Sequence, residues 1–449
     1  MSGQRRPPIP PGPWLVVGLE RSGAACARAL WKRGEPVIAV DIGEPAEAEA
    51  LRNEGIEVCT LSDGTEELAR ARALARSPGV PNEAPVLVAA RAAGIPIYSE
   101  LEIGWRLLES PFVAVTGTNG KTTTVELLAE IWRAAGKDVV TGGNVGTAVS
   151  SLVGHISADT TVICEASSFQ LEDSVAFAPE VAVLLNVSPD HIDRHGSFEQ
   201  YKEAKLKLFA HQDASDYAIG EQELLAEAEG HAERVAVSSD PRVPGSIELR
   251  GDQIVWHGAA LLGTDQVRLR GPHNLENALC AAAAALCAGI DPDAVRTALA
   301  SFRGVEHRLE EVGKVDGVLW VNDSKATNVA AACVGLSAFE QPVHLIAGGQ
   351  GKNQEFHLLA DVAAVHVRAA YLIGADAEAI ESELGESVEC GRFDGLEAAV
   401  AAAHAAAVEG EVVLLSPACA SFDQFPRGYE QRGSEFKRLV QSFAGFSET

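Results

Sequence analysis

The sequence predicts an α/β protein of three domains, each built on a mostly parallel sheet, and three observations point there. Apolar runs of three to six residues recur, each followed by Gly, Ser, Thr or Asn and then by an Ala-rich stretch of helical length, the rhythm of βαβ units. A length of 449 residues provides for two to four domains with cores of their own. The content of 47% hydrophobic and 22% charged residues is that of ordinary folded chains and far from that of disorder.

In chain order, the predicted strands are 14–17, 37–40, 113–115, 162–164, 181–185, 319–321, 345–347, 371–373 and 412–415. Residues 1–13 carry two arginines and then prolines, without an apolar leader core, and read as a loose tail. A helix over 101–108 ends at Ser110-Pro111, which sets a first boundary after Tyr98. A helix over 293–300 runs out near 302–305 and sets the second, giving domains 1–99, 100–304 and 305–449. Residues 246–269 alternate and turn like a small β-hairpin inserted in the middle domain.

With 63 acidic against 36 basic side chains, a net charge of -27 excludes a sequence-independent grip on nucleic-acid phosphates. Any anionic ligand needs a locally built pocket instead. The longest apolar runs, 278–288 and 412–415, fall short of the ~20 residues of a membrane helix, so no membrane span is expected. Eight cysteines without ligand or redox spacing read as reduced, buried thiols of a cytoplasmic protein.

The first strand opens into Gly18-Leu19-Glu20-Arg21-Ser22-Gly23, with Asp41 ending the second, a partial dinucleotide fingerprint. Glu20 replaces its second glycine, where a side chain would crowd a pyrophosphate. The turn is open to NAD or FAD, to a nucleotide-like ligand held in a modified way, or to no ligand.

Val113-Ala114-Val115-Thr116-Gly117-Thr118-Asn119-Gly120-Lys121-Thr122-Thr123 is a strand, a glycine turn and a helix start, where backbone N–H groups and the helix dipole receive phosphates. Lys121 can reach β- and γ-phosphate oxygens and the Thr122 hydroxyl can ligate Mg²⁺. Val115 stands where the usual loop has its first glycine, so this is a variant with Gly117 and Gly120 only. Ligands gather at the carboxyl ends of parallel strands. There, 162–164 ends in Glu165, and 181–185 runs out to Asp190-His191, a carboxylate and an imidazole suited to Mg²⁺ in phosphoryl transfer. The following amphipathic segment, 197–209, carries Lys202, Lys205 and Lys207, which periodicity alone leaves in solvent.

Thr116 to Thr122, Ser77-Pro78-Gly79-Val80, Gly142 to Gly146, Glu165 to Leu171, Asp190 to Arg194, His273 to Asn277, Glu306 to Arg308, Asn322 to Asn328, Gly348 to Lys352 and Ser416 to Phe425 together resemble the Mur ligase family, ATP-dependent amide-forming enzymes of peptidoglycan precursor synthesis. The resemblance implies a Rossmann-like N-terminal domain for a UDP-muramoyl substrate and a central P-loop ATPase domain with a mostly parallel sheet plus the small β insert. A Rossmann-like C-terminal domain for glutamate completes it. It implies addition of D-glutamate to UDP-N-acetylmuramoyl-L-alanine with ATP and two Mg²⁺ ions, by a cytoplasmic monomer.

By motif, Gly117, Thr118, Asn119, Gly120, Lys121, Thr122, Thr123, Asn274, Asn277, Arg308 and Asp323 serve ATP. Thr122, Glu165, His191 and Lys205 serve the metals, Lys205 as a carbamate, and Lys121, His191 and Lys205 are the catalytic set. Arg21, Ser22, Asp41, Ile42 and Gly79 match contacts to uridine and pyrophosphate, with Asn144 beside the sugar and His191 also reaching that substrate. Lys325, Thr327, Lys352, Ser421, Phe422 and Tyr429 match the glutamate pocket, where cations and a hydroxyl meet two carboxylates. The asparagine pair is also compatible with helix capping. A relative adding another amino acid, a folylpolyglutamate synthase-like ligase, or a nucleotide-dependent switch are the alternatives.

Overall fold

The structure is a computed structural model describing residues 6–269, 271–351, 354–385 and 387–448. Three sheets are distributed over two compact units, one of residues 1–267 with 273–302, the other of 268–272 with 303–449. No described helix is long and apolar enough to cross a membrane.

The first sheet comprises β1 (Trp14–Val17), β2 (Val37–Asp41), β3 (Glu57–Thr60), β4 (Ala73–Arg76) and β5 (Ile97–Ser99), in the order β3-β2-β1-β4-β5 and parallel throughout. Every residue of β1 is buried, as a strand covered on both faces requires. Its apolar side chains divide between one layer around Trp14, Leu30 and Leu51 and another around Leu15, Leu74 and Leu87.

The second sheet holds β6 (Phe112–Thr116), β7 (Val139–Gly143), β8 (Thr161–Glu165), β9 (Val181–Leu184), β10 (Tyr217–Gly220) and β11 (Glu233–Ser238), followed by β12 (Ile247–Arg250), β13 (Gln253–Trp256) and β14 (Ala259–Gly263). The order is β14-β13-β12-β11-β10-β9-β6-β8-β7. Only the β12–β13 and β13–β14 pairs are antiparallel. The expected hairpin is therefore a three-stranded meander. A second turn at His257-Gly258, both at positive φ, adds β14 where sequence patterning showed one turn.

In the second unit, β15 (Glu310–Val315), β16 (Val318–Asn322), β17 (Val343–Gly348), β18 (Val367–Ile373), β19 (Glu389–Arg392), β20 (Val412–Leu415) and β21 (Phe446–Ser447) form the order β19-β18-β17-β20-β16-β15-β21. β15 is antiparallel to both neighbours, and the other pairs are parallel. The order in which strands are added reverses around β1/β4 in the first sheet, around β6 in the second and around β20 in the third, and crevices at such points are where open α/β sheets bind ligands. The eight cysteines are all unpaired thiols.

Candidate active site

β6 delivers the chain into Gly117–Gly120, and the helix Lys121–Ala134 starts at once. Gly120 sits at φ 85°, and a Cβ there would lie 2.2 Å from Asn277 Oδ1. Strain and collision both follow from any side chain at this position. Gly120→Ala is expected to raise the KM for ATP at least about tenfold, measured by steady-state phosphate release, since displaced loop amides misalign the phosphates. Asn277 is buried and donates to Asn274 Oδ1 at 3.2 Å, so the helix Pro272–Cys287 brings the asparagine pair against the loop. The Thr118 and Asn119 amides donate to the Asn186 carbonyl and side-chain oxygens at 3.0 and 2.9 Å. That fastens the loop to the chain leaving β9.

Lys121 folds back over the loop, its Nζ donating to the carbonyls of Gly117 and Thr118, both at 2.9 Å. Thr122 donates from Oγ1 to Glu165 Oε2 at 2.8 Å, and Asn144 from Nδ2 to Oε1 at 2.9 Å. Glu165 is buried at the end of β8. The expected hydroxyl and carboxylate thus meet beside the phosphate cradle, and Asn144 positions the carboxylate.

The structure corrects the assignment to solvent for one of the three lysines, Lys205. Lys205 is 1% exposed, and its Nζ donates to the Gly117 carbonyl at 2.7 Å and lies 4.6 Å from the Tyr201 ring centroid. Tyr201, Ala204, Lys205, Leu208 and Phe209 are all buried, so Lys205 occupies the apolar stripe itself. Desolvation, and then the neighbouring Lys121 charge, bring its ammonium down to about 7. Lys202 pairs with Glu227 and Lys207 donates to the Glu172 carbonyl, both at the surface.

His191 caps the short helix Ile192–His195 at φ 51° and is exposed, its ring 5.0 Å from that of Phe169 and 6.4 Å from that of Tyr201. A non-glycine residue in this region carries strain of the kind found at functional sites. Among the described residues no three His, Cys, Asp or Glu side chains gather as a ready-made metal cage. A hydroxyl paired with one carboxylate is nonetheless a donor set that fits Mg²⁺, which keeps waters and takes phosphate oxygens for its other positions.

In the first sheet the crevice follows β1 and β4. Asp41 accepts from the amides of Leu19 and Gly43 at 2.7 and 2.8 Å, so its carboxylate shapes the turn. Gly23 is indispensable in another way, since a Cβ there would lie 1.8 Å from the Gly18 carbonyl oxygen. Arg21, Ile42 and Gly79 are exposed and Ser22 is half-buried.

In the second unit β16, β17 and β20 end side by side. Arg432, missing from the sequence-based set, is 1% exposed and donates to the carbonyls of Ser324, Gly348 and Cys419 at 2.9, 3.4 and 3.2 Å. Burial brings its guanidinium down to about 10. The signal was available: Arg432, Phe436, Leu439 and Val440 share the buried stripe of the helix Tyr429–Gln441. Lys325 Nζ lies 5.5 Å from the Tyr429 ring centroid, and the Thr327 amide donates to the Lys325 carbonyl at 2.8 Å. The buried Ser421 hydroxyl has no hydrogen-bond partner among the described residues, whereas Phe422 is exposed. Asp323 accepts from Ser416 Oγ at 2.8 Å, and desolvation raises its carboxyl to about 7. Arg308 lies in the turn before β15, bridged to Val305, and Lys352 lies outside the described residues.

Three domain descriptions match along the chain: the Mur ligase MurD-like N-terminal domain over residues 13–99, the Mur ligase middle domain over 115–285 and the Mur ligase glutamate ligase domain over 307–419. The chain is 42% identical to the UDP-N-acetylmuramoylalanine--D-glutamate ligase of Acidobacterium capsulatum, over 96% of each protein. It is 40% identical to the enzyme of that name from Bacillus subtilis, over 94% of this chain and 96% of that one. A solved UDP-N-acetylmuramate-alanine ligase of Thermotoga maritima shares the fold, with a TM-score of 0.59 at 19% identity over 96% of this chain and 99% of the other. Its domains matched in order and its relatives matched over nearly all of their length, this chain belongs to the Mur ligase family.

Proposed function

We infer that this chain is an ATP-dependent ligase that joins D-glutamate to UDP-N-acetylmuramoyl-L-alanine in peptidoglycan precursor synthesis. One observation carries the chemistry: Lys121, the Thr122–Glu165 pair and the buried Lys205 converge on one glycine loop at the carboxyl edge of the second sheet. Relatives at 40% identity and above that bear this activity in their names supply the substrates. We assign residues 1–99 to the UDP-sugar, 100–304 to ATP and 305–449 to glutamate.

The substrate carboxylate attacks the γ-phosphorus of ATP, the bond to the bridging oxygen breaks and ADP leaves, giving an acyl phosphate. The neutral glutamate amine then attacks the carbonyl, the acyl C–O bond of the tetrahedral intermediate breaks to release phosphate, and the nitrogen gives up its extra proton to the departing phosphate or to water. A carboxylate needs no general base, so the loop amides and Lys121 align the γ-phosphate and offset its charge. Thr122 and Glu165 would hold Mg²⁺, which supplies charge neutralisation when bound. Lys205, as a carbamate, and His191 would hold a second ion. A carbamate forms only on a neutral amine, and an ammonium brought down to about 7 offers one near neutral pH. In the second unit, Lys325 and Ser421 contribute a cation and a buried hydroxyl toward the amino acid's carboxylates.

Phosphate release from ATP and Mg²⁺ with UDP-N-acetylmuramoyl-L-alanine tests this, with D-glutamate, L-glutamate or meso-diaminopimelate in separate tubes. Release with D-glutamate alone is expected. Release only with another amino acid would keep the ATP chemistry and overturn the glutamate pocket.

A further inference from the structure

The geometry points to Arg194 and Arg76 as a paired clamp that fixes the Ser77–Val80 turn, making Arg194 a positioning residue for the nucleotide-sugar substrate. Arg76, the last residue of β4, is 2% exposed; its Nε and Nη2 donate to the Val80 carbonyl at 3.0 and 2.7 Å. Its Nη1 is anchored on Asp173 at 2.8 Å. Arg194, three residues after His191, approaches the same turn and donates from Nη2 to the carbonyls of Pro78 and Val80 at 2.6 and 3.1 Å. The Val80 carbonyl therefore accepts from two guanidiniums. Two like charges are thus brought together on one turn, with Asp173 and Glu172 at 2.8 and 3.7 Å from Arg76 offsetting their repulsion.

Arg194 is held from behind as well. Its guanidinium lies 3.8 Å from the Phe169 ring centroid, and Phe169 belongs to the helix that starts three residues after Glu165. The His195 ring stacks on Phe169 at 5.2 Å and an interplanar angle of 10°. Arg194 thus joins three pieces that carry chemistry: the turn after β4, the chain after Glu165 and the chain after His191. The turn stands at the switch point of the first sheet, where an open parallel sheet binds its ligand. The inference rests on the assignment of this crevice to the UDP-sugar. A planar fork that reaches two carbonyls while stacking on a ring is a task for arginine, and lysine provides one point charge.

A cavity of about 410 Å³ adjoins Arg194, bordered also by the carboxylates Glu83, Glu172 and Glu203 and by one further cation, Lys207. It leaves room for a small cation to take the place of a deleted guanidinium. The test is the KM of each substrate for Arg194→Ala and Arg194→Lys, with and without added guanidinium ion at non-denaturing concentration. We expect a KM for UDP-N-acetylmuramoyl-L-alanine raised at least about tenfold in the alanine variant, less in the lysine variant, with the KM for ATP within about twofold. Guanidinium should restore part of the loss in Arg194→Ala and none in the parent protein. An unchanged nucleotide-sugar KM in both variants, equal rises for all substrates, or no rescue would overturn the clamp. A parent protein whose phosphate release ignores the UDP-sugar would instead overturn the assignment of the crevice.

Discussion

Lys205→Met is expected to lose ligase activity by at least about a hundredfold while the folded protein becomes more heat-resistant below pH 7. The two effects have one origin. Lys205 is buried beside a second lysine and brought down to about 7, against an ordinary value of 10.5, so at neutral pH the fold bears a partly charged group in an apolar stripe. Between the two values the unfolded chain binds more protons than the folded one, so this group's contribution to stability rises with pH from about 7 toward 10.5 and is most adverse below 7. Removing it therefore raises the apparent Tm most below pH 7, by several degrees, and the gain shrinks toward pH 10. Thermal melts of both proteins across pH in bicarbonate-free buffer, with phosphate release in parallel, measure this. Added bicarbonate should leave the variant inactive. Full activity in Lys205→Met would remove the carbamate from the mechanism.

Lys121→Met should reduce kcat by roughly 10²–10³-fold, the usual loss when one preorganised charge at a developing anion is removed. A second consequence distinguishes it from a simple phosphate contact. The Lys121 charge helps to lower Lys205, and both ammonium groups donate to the Gly117 carbonyl, so its loss lets Lys205 titrate higher. The residual activity should then show its alkaline shift: the rising limb of the pH–rate profile moves to higher pH than in the parent. A profile scaled down without displacement would show that the two lysines act independently.

Much of the fold was legible because buried parallel strands write themselves as apolar runs. Trp14–Val17, Thr161–Glu165 and Val412–Leu415 are covered on both faces and are found where expected. Several of the strands that escaped notice lack that signature. Glu57–Thr60 and Glu389–Arg392 end their sheets and are partly exposed, while Ala73–Arg76 is buried but made of alanine and arginine. In the site, the glycine loop and Glu165 were readable because their position at a strand end dictates their place, whereas the Asn274–Asn277 pair was reached only through the family resemblance. Lys205 and Arg432 were not readable from charge, which by itself says surface. Both interrupt an apolar stripe at helical spacing, and a cation in that position is a sign of buried work that hydrophobic counting discards.

The single guanidinium of Arg432 also has a bearing on cooperativity. The segments that follow β16, β17 and β20 share this one side-chain fastener, the last two being joined also by the Gln350–Ala420 bridge, so opening any of them strands a buried charge and loosens the others. Their amides should exchange with solvent as one group. On warming, this crevice would pass from formed to absent without graded intermediates, and residual activity would count intact molecules rather than report distorted ones.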